Sequence, residues 1–425
     1  MSGILIREVE YRGETVDLLI DHVSPHIMHD QLTITRVEGE VPGDVTVIEA
    51  KGLIVSKGFY DDHVHFRDPG FTEKEDLLTG ARAAVAGGYS SVTCMPNTNP
   101  VIDCAEAVSL FDKRWRELAL PIMVYTHGAL TVGERGESLT NMWALADQGV
   151  FSLSDDGEPV LDEQLLADAL RRTTSGNFKT SLHCEETPRS QQKVREVLGE
   201  GKPYEREPEI IALSLKVLAD TPGNRWLHFQ HISMQESVRL IADAKKRGLN
   251  VTAEVAPHHL LLCRDDIPLR NGEPDANWKM NPPLRSREDM LAMRRALAEG
   301  IIDYIATDHA PHTPLEKARP WDQAPFGVIG LETAFGACMS LVHNGDLSFD
   351  LLLNALEAGD DLLEASQHLI TGVTLIDPNH VWTVDPDKFY SKARNCPFAG
   401  MTFKGKPMYN IANGKILMAE GEVLF

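Results

Sequence analysis

The middle of the chain alternates between two kinds of segment, and this alternation limits the fold more than any other feature. Between residues 57 and 372, short apolar runs that favour β-strands precede amphipathic segments of helix length, as where 122–126 precedes 139–148 and 179–183 precedes 208–219. Repeated strand-then-helix order predicts a parallel sheet with right-handed crossovers, which a TIM-like (β/α)8 barrel closes most economically. The alternative is an open doubly wound sheet, but no glycine-rich dinucleotide turn accompanies it.

The two ends of the chain have a different sequence pattern, in which short strand-like runs are separated by turn residues. Near the carboxyl end, Asn413-Gly414 stands between two apolar runs, which is a strong signal for a β-hairpin. Two β segments that flank a barrel pair most simply with each other. We therefore predict the amino-terminal part of a small β-sandwich over 1–54, a metal-dependent barrel over 55–372, and the carboxy-terminal part of the sandwich over 373–425.

Composition excludes several classes of partner. The net charge of −22 argues against nucleic acid or an anionic membrane as the main partner, since both require a basic surface. The six cysteines are scattered without a Cys-x-x-Cys pair, which suits a reducing compartment. Charge appears too early for a signal peptide, and no apolar stretch is long enough to cross a membrane. We expect a cytoplasmic protein that acts on a small molecule.

Polar side chains that bind metals follow several of the predicted strands. In a (β/α)8 barrel the carboxyl ends of all strands meet on one face, so residues at those ends share a site. One such residue often only caps backbone groups, but a series of histidines and aspartates in barrel order is harder to explain in that way. Read in chain order, these ends supply His63, His65, Asn97, Asp155-Asp156, His183, His231 and Asp308.

This residue set predicts a binuclear metal centre. Imidazole and carboxylate are ligands that zinc, manganese and cobalt accept, and their number exceeds what one tetrahedral ion needs. Two ions about 3.5–4 Å apart share a bridging hydroxide, lower its pKa and polarise a carbonyl. Such a centre hydrolyses or closes an amide. The apolar run at 53–56 predicts a buried strand that leads to His63 and His65, whose side chains lie on one face. Arg67 continues this alternation, which places a planar cation for a carboxylate beside the metals.

Five separated motifs resemble, in order, those of the class I bacterial dihydroorotases of the amidohydrolase superfamily. The motifs are HVHFRDPG at 63–70, MPNTNP at 95–100, KMNPPLR at 279–285, ATDHAPH at 306–312 and APFG at 324–327. The resemblance implies reversible cyclisation of N-carbamoyl-L-aspartate to L-dihydroorotate in pyrimidine synthesis. It also implies two Zn²⁺ ions per subunit and a homodimer.

The resemblance implies a role for each metal-binding residue. His63, His65 and Asp308 would hold one ion, and His183 and His231 would hold the other. Many relatives bridge the ions with a carboxylated lysine, but this chain has no lysine between Lys113 and Lys179. An aspartate is therefore expected as the bridge. We choose Asp156 for its spacing to His183 and keep Asp155 as the alternative.

The resemblance also implies the catalytic and substrate-binding residues. Asp308 would act as general acid and base, moving a proton between the hydroxide and the leaving ring nitrogen. The substrate's α-carboxylate would be bound by Arg67, Asn97 and His312. The ring amides would meet Asn281 and the backbone of Phe326 and Gly327.

Two other functions remain open at this point. The first is a different cyclic amidase, a hydantoinase or an allantoinase, which shares the metals and the fold but usually carries the lysine bridge. The second is an inactive homologue that only scaffolds aspartate transcarbamoylase. Such a scaffold should have lost metal ligands, and this chain retains all six. An active enzyme that also associates with aspartate transcarbamoylase is compatible with the same residues.

Overall fold

The computed structural model describes residues 3–26, 29–39, 43–173, 178–356 and 372–425. Within these ranges the strands are β1 (Ile4–Tyr11), β2 (Glu14–His26), β3 (His29–Val37), β4 (Thr46–Glu49), β5 (Ile54–Lys57), β6 (Phe59–Val64), β7 (Tyr89–Cys94), β8 (Met123–Thr126), β9 (Ser152–Ser154), β10 (Lys179–Leu182), β11 (Trp226–Phe229), β12 (Val251–Val255), β13 (Leu269–Arg270), β14 (Glu273–Pro274), β15 (Tyr304–Ile305), β16 (Gly372–Thr383), β17 (Thr402–Ala412), β18 (Lys415–Ala419) and β19 (Glu422–Val423).

Helices fill most of the intervals between the strands. In the same ranges they are α1 (Leu77–Ala86), α2 (Ala105–Glu117), α3 (Met142–Asp147), α4 (Glu163–Arg172), α5 (Gln191–Leu198), α6 (Glu207–Asp220), α7 (Gln235–Lys246), α8 (Pro257–Leu261), α9 (Arg287–Ala298), α10 (Pro314–Lys317), α11 (Ala334–His343) and α12 (Phe349–Ala355). Short 3₁₀ turns occur at Val132–Glu134, Arg264–Asp266, Ala276–Trp278 and Pro386–Lys388. Among the described residues, no helix has both the length and the apolar character needed to cross a lipid bilayer.

The middle of the chain forms parallel sheets, as the alternation of strands and helices predicted. Strands β6, β7 and β8 form one sheet, and β9, β10, β11, β12 and β15 form another in that order. Single parallel bridges join the two sheets at both edges, between Gly128 and Leu153 and between Val64 and His309. The apolar faces of the helices pack on these strands in one large buried cluster. The strand carboxyl ends are therefore brought together.

The two chain ends form a single nine-stranded sheet in the described residues, with the order β19-β18-β17-β16-β5-β1-β2-β3 and with β4 beside β1. The predicted pairing of the ends is confirmed by the antiparallel ladder between β5 and β16. The hairpin at Asn413-Gly414 is also confirmed, since it joins β17 to β18 with φ of 51° and 66°. Positive φ at both central residues is the geometry that an Asn-Gly turn favours.

Two predicted elements differ from the structure. The apolar run at 53–56 does not lead to His63 in one strand, because the chain passes from the terminal sheet to the first parallel strand at Gly58. A Cβ at Gly58 would lie 2.4 Å from Ser90 Oγ, so only glycine permits this close approach. The helix expected over 139–148 is shorter, because Leu139 forms a β-bridge with Thr131.

Candidate active site

The predicted metal-binding residues lie at the ends of the parallel strands. His63 is on β6, and the other members follow the carboxyl ends of β6, β9, β10, β11 and β15 within three residues. All are buried, with 0 to 6% of their surface exposed. The structure brings together all six of these residues, His63, His65, Asp156, His183, His231 and Asp308.

Asp156 lies at the centre of this cluster. Its Oδ1 lies 3.4 Å from a ring nitrogen of His63, His183 and His231. Its Oδ2 lies 3.4 Å from His65 Nε2. Burial opposes the negative charge, but the surrounding imidazoles hold the pKa of this carboxyl well below its ordinary value. One carboxylate therefore contacts four imidazoles, which come from three different strands or the residues directly after them.

The two other aspartates take different positions. Asp308 Oδ1 is 3.1 Å from His65 Nε2 and 3.6 Å from His63 Nε2, on the side of the cluster formed by β6. Asp155 accepts a hydrogen bond from the backbone N–H of Thr131 at 2.9 Å and another from the Thr131 hydroxyl. The carboxylate of Asp155 is thus bound to the loop after β8, whereas that of Asp156 faces the histidines.

The donor set fits one or two divalent metal ions. Two groups of side chains, His63–Asp156–His231 and His63–His65–Asp308, each place their ligand atoms within 4.8 Å of one another. His63 Nε2 is buried without a hydrogen-bond partner among the described residues. A buried polar atom without a partner is costly, and coordination of a metal would satisfy it. Imidazole and carboxylate ligands are typical of zinc.

Three residues at the site have a backbone conformation that residues other than glycine rarely adopt. Arg67, His231 and Asp308 have φ of 59°, 33° and 47°, in the left-handed region that costs about 1–3 kcal/mol for a residue other than glycine. The surrounding structure must hold them there. The predicted alternation therefore ends at Val64, and Arg67 reaches the site through a turn instead of an extended strand.

A cavity of about 220 Å³ opens beside the cluster, and its lining includes every substrate-binding residue that the sequence predicted. Arg67 Nε is buried and has no hydrogen-bond partner in the described part of the chain. A guanidinium in this state is available to a ligand, and it suits a planar carboxylate. The cavity residues that the sequence predicted for substrate binding are Arg67, Asn97, Asn281, His312, Phe326 and Gly327.

Comparison with known proteins identifies the family. Residues 52–197 match the family described as Dihydro-orotase-like. The dihydroorotase of Geobacillus sp. (strain WCH70) is 40% identical over 88% of this chain and 90% of its own length. The dihydroorotase of Anaeromyxobacter sp. (strain K) is also 40% identical, and the match covers 99% of both chains. This chain belongs to the dihydroorotase family.

The fold extends beyond the dihydroorotase family. The crystal structure of dihydropyrimidinase from Brevibacillus agri NCHU1002 superposes with a TM-score of 0.82 over 99% of this chain and 96% of that chain. The sequence identity is 20%, so the likeness shows a shared fold.

Three of the cavity residues already have partners inside this dihydroorotase-family site. Asn97 accepts a hydrogen bond from His65 Nδ1 at 3.0 Å and donates one to the backbone oxygen of Asp156 at 2.8 Å. His312 Nε2 donates to the backbone oxygen of Phe326 at 2.7 Å. Asn281 Nδ2 is 3.2 Å from a ring nitrogen of His183. Asn97 thus orients a histidine of the cluster, and the other ring nitrogen of His312, Nδ1, lies 3.4 Å from Lys74 Nζ.

Glu254, a carboxylate on β12 behind the cluster, was not predicted as a site residue from the sequence. It accepts hydrogen bonds from His63 Nδ1 at 2.6 Å and from His228 Nε2 at 3.0 Å, and only 1% of its surface is exposed. Donation from Nδ1 leaves the lone pair of His63 Nε2 for a metal. The signal in the sequence was a lone carboxylate in a buried strand, Val251–Val255.

His127, which directly follows β8, was also not predicted as a site residue from the sequence. His127 is fully buried, and its Nε2 donates to the backbone oxygen of Asp62 at 2.9 Å. This contact connects the ends of β6 and β8. His127 therefore supports the strand that leads to His63 and His65. Its Nε2 binds the backbone of that strand and not the metal-binding cluster.

Replacement of Glu254 with Gln should weaken metal binding by this member of the dihydroorotase family. The amide lacks the charge that holds His63 Nδ1–H, and it has one acceptor oxygen where the carboxylate has two. We expect the affinity for Zn²⁺ to fall about 10-fold to 100-fold, measured by competition with a chromogenic chelator after removal of metal.

Glu332→Gln is a matched control for the Glu254 variant. The carboxylate of Glu332 accepts hydrogen bonds from the backbone N–H groups of Tyr390 and Ser391, each at 3.1 Å, instead of from a histidine of the cluster. Its substitution should leave zinc affinity unchanged. An equal loss of affinity in both variants would attribute the effect to general destabilisation and contradict the role of Glu254.

Proposed function

We infer that this chain is a dihydroorotase, which interconverts N-carbamoyl-L-aspartate and L-dihydroorotate in pyrimidine synthesis. The family assignment supports this function, since relatives with 40% identity over most of the chain carry that name. The observation that carries it in the structure is the pairing of two features in one cavity. A cluster of imidazoles around Asp156 suits amide chemistry, and Arg67 beside it suits a substrate that bears a carboxylate.

The six buried residues would hold two zinc ions. His63, His65 and Asp308 would bind one ion, His183 and His231 the other, and Asp156 would bridge them. The position of Asp156, 3.4 Å from all four imidazoles, supports it as the bridge in preference to Asp155. Bound there, the ions would supply a water of lowered pKa and polarisation of the reacting carbonyl.

Asp308 would be the catalytic general acid and base. Burial opposes its charge, but His65, as a hydrogen-bond partner, and nearby histidines hold the pKa of Asp308 below its ordinary value. The side chain is therefore an ionised carboxylate that can accept a proton at neutral pH. In ring opening it would take the proton from the attacking water and deliver it to the leaving ring nitrogen. Ring closure uses the same residue in the reverse direction.

The remaining cavity residues would bind and orient the substrate. The guanidinium of Arg67, with the amide of Asn97 and the ring of His312, would hold the α-carboxylate. Asn281 and the backbone of Phe326 and Gly327 would meet the amide groups of the ring. All six line the same cavity, so the carboxylate and the reacting amide of one small molecule can be bound together.

We also propose how the two kinds of sheet divide into domains. The eight strands of the two central parallel sheets would close into one barrel, which the bridges Gly128–Leu153 and Val64–His309 support. The nine-stranded sheet would fold as a small sandwich, which an apolar cluster shared by both chain ends supports. The last stretch of the barrel, 357–371, lies outside the described residues. The proposed limits are 1–54, 55–372 and 373–425.

The family resemblance extends the proposal to assembly. We propose a homodimer that can also associate with aspartate transcarbamoylase. Analytical ultracentrifugation of the protein alone and of its mixture with aspartate transcarbamoylase tests both parts.

Asp308→Ala should abolish turnover while the fold persists. Loss of general acid and base catalysis alone costs about 10²-fold to 10⁴-fold, and the loss of a metal ligand adds to this. The measurement is kcat for ring opening of L-dihydroorotate, with circular dichroism to confirm folding. Asp308→Asn, with zinc content determined in parallel, separates proton transfer from metal binding. Wild-type turnover by Asp308→Ala would contradict the mechanism.

Arg67→Met should weaken binding of substrates that bear the α-carboxylate. A hydrogen bond to a charged group contributes about 1.5–3 kcal/mol, which corresponds to about a 10-fold to 100-fold rise in KM for L-dihydroorotate. Dihydrouracil, the same ring without the carboxylate, serves as the comparison substrate and should lose little. A parallel loss of kcat/KM for both compounds would show that Arg67 does not bind the carboxylate.

A further inference from the structure

One wall of the cavity is a loop segment, residues 310–327, that contains only the short helix α10. It supplies His312, Phe326 and Gly327 to the cavity. Segments of this kind have few apolar contacts and are the parts of a protein that open most easily. Positioning of a substrate by this backbone therefore requires that the rest of the protein hold it in place.

Lys317, at the end of α10, forms one attachment. Its side chain is buried, with 7% exposed. Its Nζ donates to the backbone oxygens of Ala276 at 2.8 Å, Pro325 at 3.0 Å and Lys279 at 3.1 Å. An ammonium group has three donors, so these three carbonyls use all of them. Lys317 thus ties α10 and the end of its own loop segment to the chain before Asn281.

Lys279 forms the reciprocal attachment from the chain that leads to Asn281. Its Nζ donates to the backbone oxygens of Trp321 and Ala324, both at 2.6 Å, and lies 4.4 Å from the centre of the Phe326 ring. A cation over an aromatic face is attracted to it. Lys279 therefore contacts the loop at two carbonyls and at a side chain that lines the cavity.

The two ammonium groups are unusual because no hydrogen bond links either of them to a carboxylate of the described residues. Burial lowers the pKa of both Lys279 and Lys317, since the charged form loses hydration. A buried cation is normally paired with an anion. Here main-chain carbonyl dipoles take that place, and they belong to the two segments that carry Asn281 and Phe326. The contacts join the two segments that form one side of the cavity.

This arrangement also sets the direction of one peptide group. The oxygen of Pro325 faces Lys317, and in a trans peptide the N–H of the next residue, Phe326, points the opposite way. This N–H has no hydrogen-bond partner among the described residues, whereas the N–H of Gly327 donates to the oxygen of Lys279 at 2.9 Å. The Phe326 N–H is thus a donor available to a ligand.

We propose that Lys279 and Lys317 are positioning residues that fix the backbone of Phe326 and Gly327 for recognition of the substrate's ring. They act through main-chain carbonyls and touch no substrate atom. The proposal rests on the proposed dihydroorotase function for the identity of that ring. Its effect is on substrate binding and not on the metal cluster, because neither lysine contacts a histidine or aspartate of the cluster.

The test compares Lys317→Met with wild type in ring opening of L-dihydroorotate. Methionine fills the space of the buried stem but cannot donate to the three carbonyls. We expect KM to rise about tenfold or more with kcat changed by less than about threefold, the pattern for loss of binding shared by substrate and transition state. Zinc content should equal that of wild type. Hydrogen exchange of the amides in 318–327 should be faster.

Two further variants complete the test. Lys245→Met is the matched control, because its Nζ pairs with the Asp303 carboxylate at 2.7 Å, outside the cavity; its KM should match that of wild type. Lys279→Met should raise KM in the same way and replaces Lys317→Met if that variant does not fold.

The outcomes distinguish this inference from the proposed function. Unchanged KM and unchanged hydrogen exchange in a folded Lys317 or Lys279 variant would overturn the inference and leave the dihydroorotase function standing. A fall in kcat with loss of zinc would also overturn it, because the lysines would then support the metal cluster. A wild-type protein that does not open L-dihydroorotate would overturn the proposed function and this inference with it.

Discussion

The contact between the Asp156 carboxylate and the four imidazoles is the interaction on which the rest of the site depends. Burial of a carboxylate without cations or donors is costly, and here the surrounding histidines stabilise its charge. His63, His65, His183 and His231 come from three different strands or the turns that follow them. The cluster therefore exists only when those strands are paired in register, so the site and the fold of the parallel sheets are formed together.

Further contacts surround this centre and fix its members. Glu254 sets the hydrogen-bonded state of His63, and Asn97 does the same for His65. The left-handed backbone at His231 and Asp308 shows that these residues are held against their local preference. On the cavity side, Lys279 and Lys317 hold the loop that carries Phe326. Hydrogen bonds to the metal-binding histidines and to the backbone of the cavity wall thus account for much of the geometry of the site.

The sequence predicted best where function depends on local position along a strand. His63 and His183 stand at strand ends, and their spacing to an apolar run is visible without a structure. The role of Glu254 was not visible, because its partner His63 is 191 positions away and the contact depends on which face of β12 turns inward. The split between β5 and β6 was missed because it depends on the space beside Ser90.

Contacts of side chains with main-chain carbonyls also could not be predicted from the sequence. Lys317 binds the oxygens of Ala276 and Pro325, and any residue type could supply those atoms. No residue pattern therefore marks them. Side-chain chemistry at strand ends was predictable from the sequence, whereas support by backbone atoms and by distant side chains required the coordinates.

The most direct test of the account combines two measurements on one purified sample. Zinc is determined by elemental analysis, and ring opening of L-dihydroorotate is followed by the loss of its ultraviolet absorbance, with hydantoin and allantoin as comparison substrates. We expect about two zinc ions per chain, as a two-metal centre requires, with activity on L-dihydroorotate and none on hydantoin or allantoin. Turnover of hydantoin or allantoin instead of L-dihydroorotate would contradict the proposed substrate. Absence of both zinc and activity after zinc addition would contradict the proposed metal centre.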